Sequence, residues 1–316
     1  MDRRQEDIIA LTVEAACEAL RAAGLALDPA DLRIERRNDR WAVMLPDARL
    51  AWFPANEAGR QQLAIERRVL RLLAERCTFG APRVLFESPA GFDVRAIVPG
   101  RTDPWGVFAE ARQDTTLARR LGRALGNVLV EQHTRITRAD VAGWLPQRVS
   151  WPEPSSWIRE RIPDVTDDRA LIAAIDRTLK VYERIDVDPA DRVLVHGDLG
   201  FHNVVVNPVS TDVRGVLDYS GAAWADRHRD LRYLAFCWPD EHVLDAALEV
   251  YRPAIGRPLS LARIWLYNAV CAFSFLAYRR GLPADAKWCG RTLAEDLGWV
   301  RCALERFDRY AAARSE

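Results

Sequence analysis

Residues 193–206 constrain this chain more than any other stretch. Two β-branched runs, 192–195 and 204–206, read as short strands. Between them lie small and polar residues, among them His196, Asp198, His202 and Asn203. Strands at both ends of so short a segment make it a tight loop. A third strand-like run, 213–217, leads directly into Asp218-Tyr219-Ser220. Asp198, Asn203 and Asp218 are thus expected at strand ends in adjacent loops. Phosphoryl transfer uses such a set: one carboxylate orients the attacking hydroxyl, while an amide and a second carboxylate hold Mg2+ on nucleotide phosphates.

The flanks of this segment differ. Residues 5–23 carry apolar positions at helical spacing, ended by Gly24. Three strand-like segments follow at 32–36, 41–45 and 49–53, separated by turn residues at 37–39 and 46–47. An amphipathic helix at 56–77 and two further strands at 82–87 and 92–98 precede a Pro99-Gly100 break. Beyond it the spacing predicts helices at 115–134, at 168–184 and from 230 onward, with a Trp- and Pro-rich connection at 144–157 that either packs as core or stacks on a sugar ring. The expected class is α+β: a small antiparallel-sheet lobe over 1–98 with an extra N-terminal helix, and a larger, mainly helical lobe over 101–316.

Lys+Arg and Asp+Glu both number 45, so the chain lacks the basic excess expected of a nucleic-acid binder. The longest nearly apolar run, 264–278, is shorter than the ~20 residues that span a bilayer. The first residues are charged and do not resemble a signal peptide. The six cysteines form no C-x-x-C pair and read mostly as small buried thiols. Together these point to a cytoplasmic protein in a reducing compartment, with neither nucleic acid nor membrane as partner.

His196-x-Asp198-x-x-x-x-Asn203, followed 15 residues later by Asp218-Tyr219, resembles the aminoglycoside phosphotransferase and choline kinase branch of the protein-kinase-like fold. Ala225-Asp226-x-x-x-Asp230-Leu231, Glu66 in a helix, the hinge at 97–100 and Glu131-Gln132-His133 fall in the same family order. Gly197 and Gly200 stand where protein kinases of the usual type carry Arg and Lys, which favours a small-molecule kinase. The resemblance implies a two-lobe fold and transfer of the γ-phosphate of ATP or GTP to a small-molecule hydroxyl, aminoglycoside-like by default, with Mg2+. It implies Asp198 and His196 in the catalytic loop, the latter bracing it, and Asn203 and Asp218 on the metal. It implies Glu66, Arg49, Trp52 and Ile97 at the nucleotide. His133 and His202 read as structural, and Asp226 and Asp230 as helix caps or loop anchors.

Two departures stand out against that pattern. In such relatives a strand Lys or Arg two residues before Pro54 pairs with the helix Glu; here that position is Trp52, and residues 1–179 contain no Lys. Arg49 is the nearest cation on that strand, although alternation puts it on the opposite face from Trp52. Arg40 and Arg60 are the loop alternatives. The first hairpin, 36–40, also lacks the glycine that lets backbone amides approach a phosphate. The rival reading is therefore a kinase-fold binding module with weak or lost nucleotide binding. For a polycationic acceptor, Asp240, Glu241, Asp245, Asp285, Glu295 and Asp296 are the candidate acidic surface, or else ordinary solvated charges.

Overall fold

The computed structural model describes residues 10–313. The Thr12 hydroxyl accepts from the Ala15 amide and caps α1 (Val13–Ala22). Residues 5–9 of the helix expected there lie outside the described residues. Strands β1 (Arg33–Arg37), β2 (Arg40–Leu45) and β3 (Arg49–Pro54) form the expected meander. After α2 (Glu57–Arg76), β4 (Arg83–Glu87) and β5 (Asp93–Ala96) complete a five-stranded sheet in the order β1-β2-β3-β5-β4. All its pairings are antiparallel.

Alternation gives the sheet two unlike faces. Val43, Leu45, Ala51, Phe53 and Val94 share one, and cluster with Ala16, Cys17 and Leu20 of α1. Arg40, Trp52, Asp93 and Arg95 share the other, toward α2. Further along α2, Val69, Leu70 and Leu73 join the main core of the helical lobe, so this helix packs on both lobes.

The helical lobe contains α3 (Pro104–Gln113), α4 (Thr115–Arg135), α5 (Arg138–Val141), α6 (Ser155–Arg161) and α7 (Arg169–Glu183). Two small hairpin-like sheets follow. Strand β6 (Arg192–Val195) pairs with β9 (Ala223–Asp226), and β7 (Val204–Val206) with β8 (Val213–Val216). The chain ends in α8 (His228–Leu231), α9 (His242–Ile255), α10 (Leu261–Ala277) and α11 (Leu293–Ala312). The apolar run at 264–278 is explained by α10, which is buried on nearly all sides. No helix among the described residues is long and apolar enough to cross a membrane.

Four elements were not foreseen, the four-residue α5 among them. In β9, Ala-Trp-Ala-Asp has no β-branched residue and is a strand through its pairing with β6. Helices α3 and α6 are short; α3 begins at Pro104 and α6 follows Pro154. The Trp-rich connection packs as core: Trp144 lies under Arg68, and Trp151 and Trp157 stack around Tyr278. The expectation of unpaired thiols is corrected at one pair. Cys237 and Cys302 form a disulfide that ties the segment before α9 to α11.

Candidate active site

The loop after β6 is held from beneath. Asp230 is fully buried, and its carboxylate accepts from the His196 amide (2.8 Å) and the Gly197 amide (2.9 Å). Gln132 Nε2 (3.1 Å) and His133 Nε2 (3.3 Å) meet the same carboxylate. Gly197 has φ +85°, and a Cβ there would stand 2.5 Å from the Gly221 carbonyl oxygen, so only glycine fits. His196 was expected in the catalytic loop as its brace, and its hydrogen bonds give it that positioning role. Its Nε2 lies 2.8 Å from the Leu217 carbonyl oxygen, and its Nδ1 accepts from the Asp198 amide (3.2 Å). Those partners assign the proton to Nε2 and leave neither nitrogen for a substrate.

Asp198 is tied into its own loop. His202 Nε2 lies 2.9 Å from its Oδ2, and Asn203 Nδ2 donates to its carbonyl oxygen (2.8 Å). Burial pushes the Asp198 carboxyl up, but His202, the Tyr233 hydroxyl and His196 outweigh it and hold the group down at about 2. It is therefore a carboxylate at neutral pH. Burial lowers the His202 pKa, and the Asp198 carboxylate raises it to a net upward shift. A Cβ at Gly200 would lie 2.5 Å from the His202 ring, so the missing side chain lets that ring fold back onto Asp198. This contact went unforeseen; the four-residue spacing of the pair was its one sequence signal.

Asp218 reaches the same place from β8. The Leu217 amide donates to the Asn203 carbonyl oxygen (2.8 Å), bringing the two loops side by side. Asp218 has φ +58° and accepts from the Ser220 amide (3.2 Å). Burial raises its pKa, but Arg40 and Ser220 lower it further. Asp198, Asn203 and Asp218 are thus brought together as expected from their strand-end positions.

The sheet supplies the opposite wall. Glu66 is 2% exposed and is paired, as a buried carboxylate requires. Its Oε2 lies 2.6 Å from Arg40 Nη1 and 3.0 Å from Arg95 Nη1. Arg40 opens β2, immediately after the two-residue turn Asn38-Asp39, and its Cζ sits 4.4 Å from the centre of the Trp52 ring. Its Nη2 is 3.3 Å from Asp218 Oδ1, so one guanidinium joins the two lobes. The turn is pinned to the start of α2. The Ala55 amide donates to the Asp39 carbonyl oxygen (2.8 Å), and a Cβ at Gly59 would stand 1.9 Å from that oxygen.

Arg49 was expected at the nucleotide and is corrected. It shares the α1 face of the sheet with Ala51 and Phe53, and its Nε donates to the Pro46 carbonyl oxygen (3.2 Å). Arg60 points to the Ala90 carbonyl oxygen instead. Ile97 lies in the hinge, but its amide is committed to the Ala48 carbonyl oxygen (3.0 Å), which leaves its side chain and carbonyl for any nucleobase contact. Half of the candidate acidic surface is committed within the protein. Asp296 is buried between Arg279 and Arg291 (2.6 Å each), Glu241 pairs with Arg306 (2.9 Å), and Glu295 caps α11 through Thr292. Asp245 and Asp285 are exposed, and Asp240 lies 3.6 Å from His242.

Several solved structures share this architecture. An aminoglycoside phosphotransferase in ternary complex with streptomycin and ATP superposes with a TM-score of 0.64 at 12% identity, covering 95% of this chain and 99% of that one. Spectinomycin phosphotransferase in complex with ADP and spectinomycin gives 0.62 at 14%, covering 96% and 99%. Macrolide 2′-phosphotransferase from Brachybacterium faecium gives 0.61 at 21%, covering 92% and 98%. At these identities the likeness establishes the two-lobe kinase-like fold. Streptomycin 3″-kinase from Streptomyces griseus is 38% identical over 68 residues, 20% of this chain; the match spans a quarter of that kinase's length. A family model described as the phosphotransferase enzyme family matches residues 13–260, most of the chain, and with the loop geometry above it shows that this protein belongs to that family.

Proposed function

We propose that this protein transfers the γ-phosphoryl group of ATP or GTP to a hydroxyl of a small molecule. The observation that carries the reading is the meeting of Asp198, Asn203 and Asp218 in two adjacent loops, facing a buried cation–carboxylate pair from the sheet.

The residues fit Mg2+. The Asn203 amide nitrogen is committed to Asp198, which leaves its side-chain oxygen as a ligand beside the Asp218 carboxylate. Both are hard oxygen donors, suited to an ion that usually takes one or two protein ligands and completes its shell with phosphate and water. When bound, the ion would neutralise charge on the phosphates.

Asp198 orients the acceptor hydroxyl. Its carboxylate is ionised at neutral pH and so can accept the hydroxyl proton as the phosphoryl group is transferred. Gly197 and His196 set the loop's path, and Asp230 anchors it. Aminoglycosides and macrolides, handled by the similar proteins above, head the acceptor panel.

The test is a matrix of γ-labelled ATP and GTP against hydroxylic acceptors, with and without Mg2+. Label is expected to move to an acceptor in wild type and to fall by at least a hundredfold in Asp198→Ala, with a thermal midpoint close to wild type. Nucleotide binding without transfer to any acceptor would instead favour the binding-module reading. Transfer that Asp198→Ala leaves intact would remove this residue from the chemistry.

A further inference from the structure

Arg40, Trp52 and Glu66 form an arrangement that strand order alone does not suggest. Where a strand lysine would serve a kinase of this type, β3 carries the indole of Trp52. Directly beside it, one strand over, stands a guanidinium. Register explains how it gets there: Arg40 pairs across from Pro54, and Ala42 across from Trp52, so Arg40 and Trp52 point to the same side of the sheet. Ala42 is small and leaves room between them.

We propose that Arg40 is the cation that holds the nucleotide phosphates in this protein, with Trp52 as its stacking platform: the charge a strand lysine would supply has moved from β3 to the start of β2. The inference rests on the kinase reading above and deepens it. A guanidinium stacks on an aromatic face, which an ammonium does less well. Its Cζ is 4.4 Å from the indole centre, and the side chain is 6% exposed. Glu66 Oε2 takes one Nη (2.6 Å) and Asp218 Oδ1 the other (3.3 Å). A guanidinium has five N–H donors, so these contacts leave others for phosphate oxygens. Its position supports the role as well. A cation touching Asp218, the proposed metal ligand, is within reach of phosphates that the metal would bridge. The glycine-free hairpin then has a reason. Its turn is anchored at Asp39 against Gly59, so it serves to aim Arg40 rather than to wrap phosphates in backbone amides.

The same geometry settles what a lysine at position 52 would do. A second cation would stand against Arg40, compete for Glu66, and remove the platform. Glu66 also keeps Arg95 at 3.0 Å, so losing Arg40 does not strand a buried carboxylate.

The experiment is calorimetric titration of ATP and of GTP, each with Mg2+, into wild type, Arg40→Ala, Trp52→Lys and the double variant, each checked for folding by circular dichroism. Arg40→Ala is expected to weaken binding at least tenfold. Trp52→Lys is expected to weaken it too. The double variant, which restores a strand lysine without the competing arginine, is expected to bind more tightly than either single one. Arg40→Ala that is folded and binds like wild type overturns the inference while leaving the kinase reading standing. Trp52→Lys that binds more tightly than wild type overturns it as well, as does a double variant no better than Arg40→Ala. Wild type that binds neither ATP nor GTP overturns both. Should Arg40→Ala fail to fold, Arg40→Lys replaces it, with a several-fold loss expected because the stacked fork is lost.

Discussion

Asp230 has no contact with solvent, yet two backbone amides, an amide side chain and an imidazole converge on its carboxylate. Replacing it with alanine leaves the His196 and Gly197 amides buried without partners. Each such group costs about 1–3 kcal/mol. Asp230→Ala is therefore expected to lose about 3 kcal/mol or more in urea unfolding, and turnover should fall with the loop's order. Asp230→Asn keeps one acceptor oxygen and should lose less. An unchanged unfolding midpoint in the alanine variant would mean the loop is held by Arg232 and Tyr233, which also reach the Gly197 carbonyl oxygen. The sequence reading of this residue as a loop anchor was sound in kind. What it lacked was the partners, which come from α4 and from the loop itself, at separations of 33 to 98 residues.

Helices α4 and α9 cross closely. Gly122 and Gly126 lie one turn apart on α4 and admit the α9 backbone directly. A Cβ at Gly122 would stand 2.2 Å from the Val243 carbonyl oxygen, and one at Gly126 2.8 Å from that of Ala247. Gly122→Ala must push a helix backbone aside, and overpacking of this kind costs about 1–3 kcal/mol. Alanine's better helix propensity offsets up to about 1 kcal/mol. A net loss in thermal midpoint is expected, with activity per folded molecule retained because the loops lie elsewhere. A gain in stability would show that α9 shifts freely. Both helices were foreseen, α9 as part of the helical stretch from residue 230, but not their contact. Helical periodicity reports which face is buried and not what buries it.

Across the whole molecule the buried charges make stability depend on acid. Asp226 accepts from Tyr267 and pairs with His228; burial raises its pKa, but His228 and Tyr267 hold it down at about 2, from 3.8. A depressed folded-state pKa contributes stability in full above the unfolded value and loses it as pH falls through the folded one. Between about pH 4 and pH 2 the loss from Asp226 is roughly 2 kcal/mol. Asp198 shifts the same way, but it is partly exposed, so screening reduces its share. Thermal midpoints in wild type should fall across this window, and Asp226→Asn should start lower and fall less steeply. A midpoint that stays level down to pH 2 would show that these carboxylates are equally shifted in the unfolded chain.

Local spacing by itself determined the strand–loop–strand unit at 192–206, the meander, the long helices and the grouping of Asp198, Asn203 and Asp218. These depend on β-branched runs, turn residues and helical stripes within a few residues of each other. It also put Glu66 on the apolar stripe of its helix, where a carboxylate either finds a cation or turns to water at the edge. It did not determine which, or with what partner. Arg49 is closer to Trp52 in sequence, but strand pleating sends it to the α1 face. Arg40 is twelve residues away, and antiparallel register brings it onto the indole. The same holds for His202 folding onto Asp198 past Gly200, and for Cys237 meeting Cys302. Partner choice among many arginines is a question of distance in space, and only the packed lobes decided it.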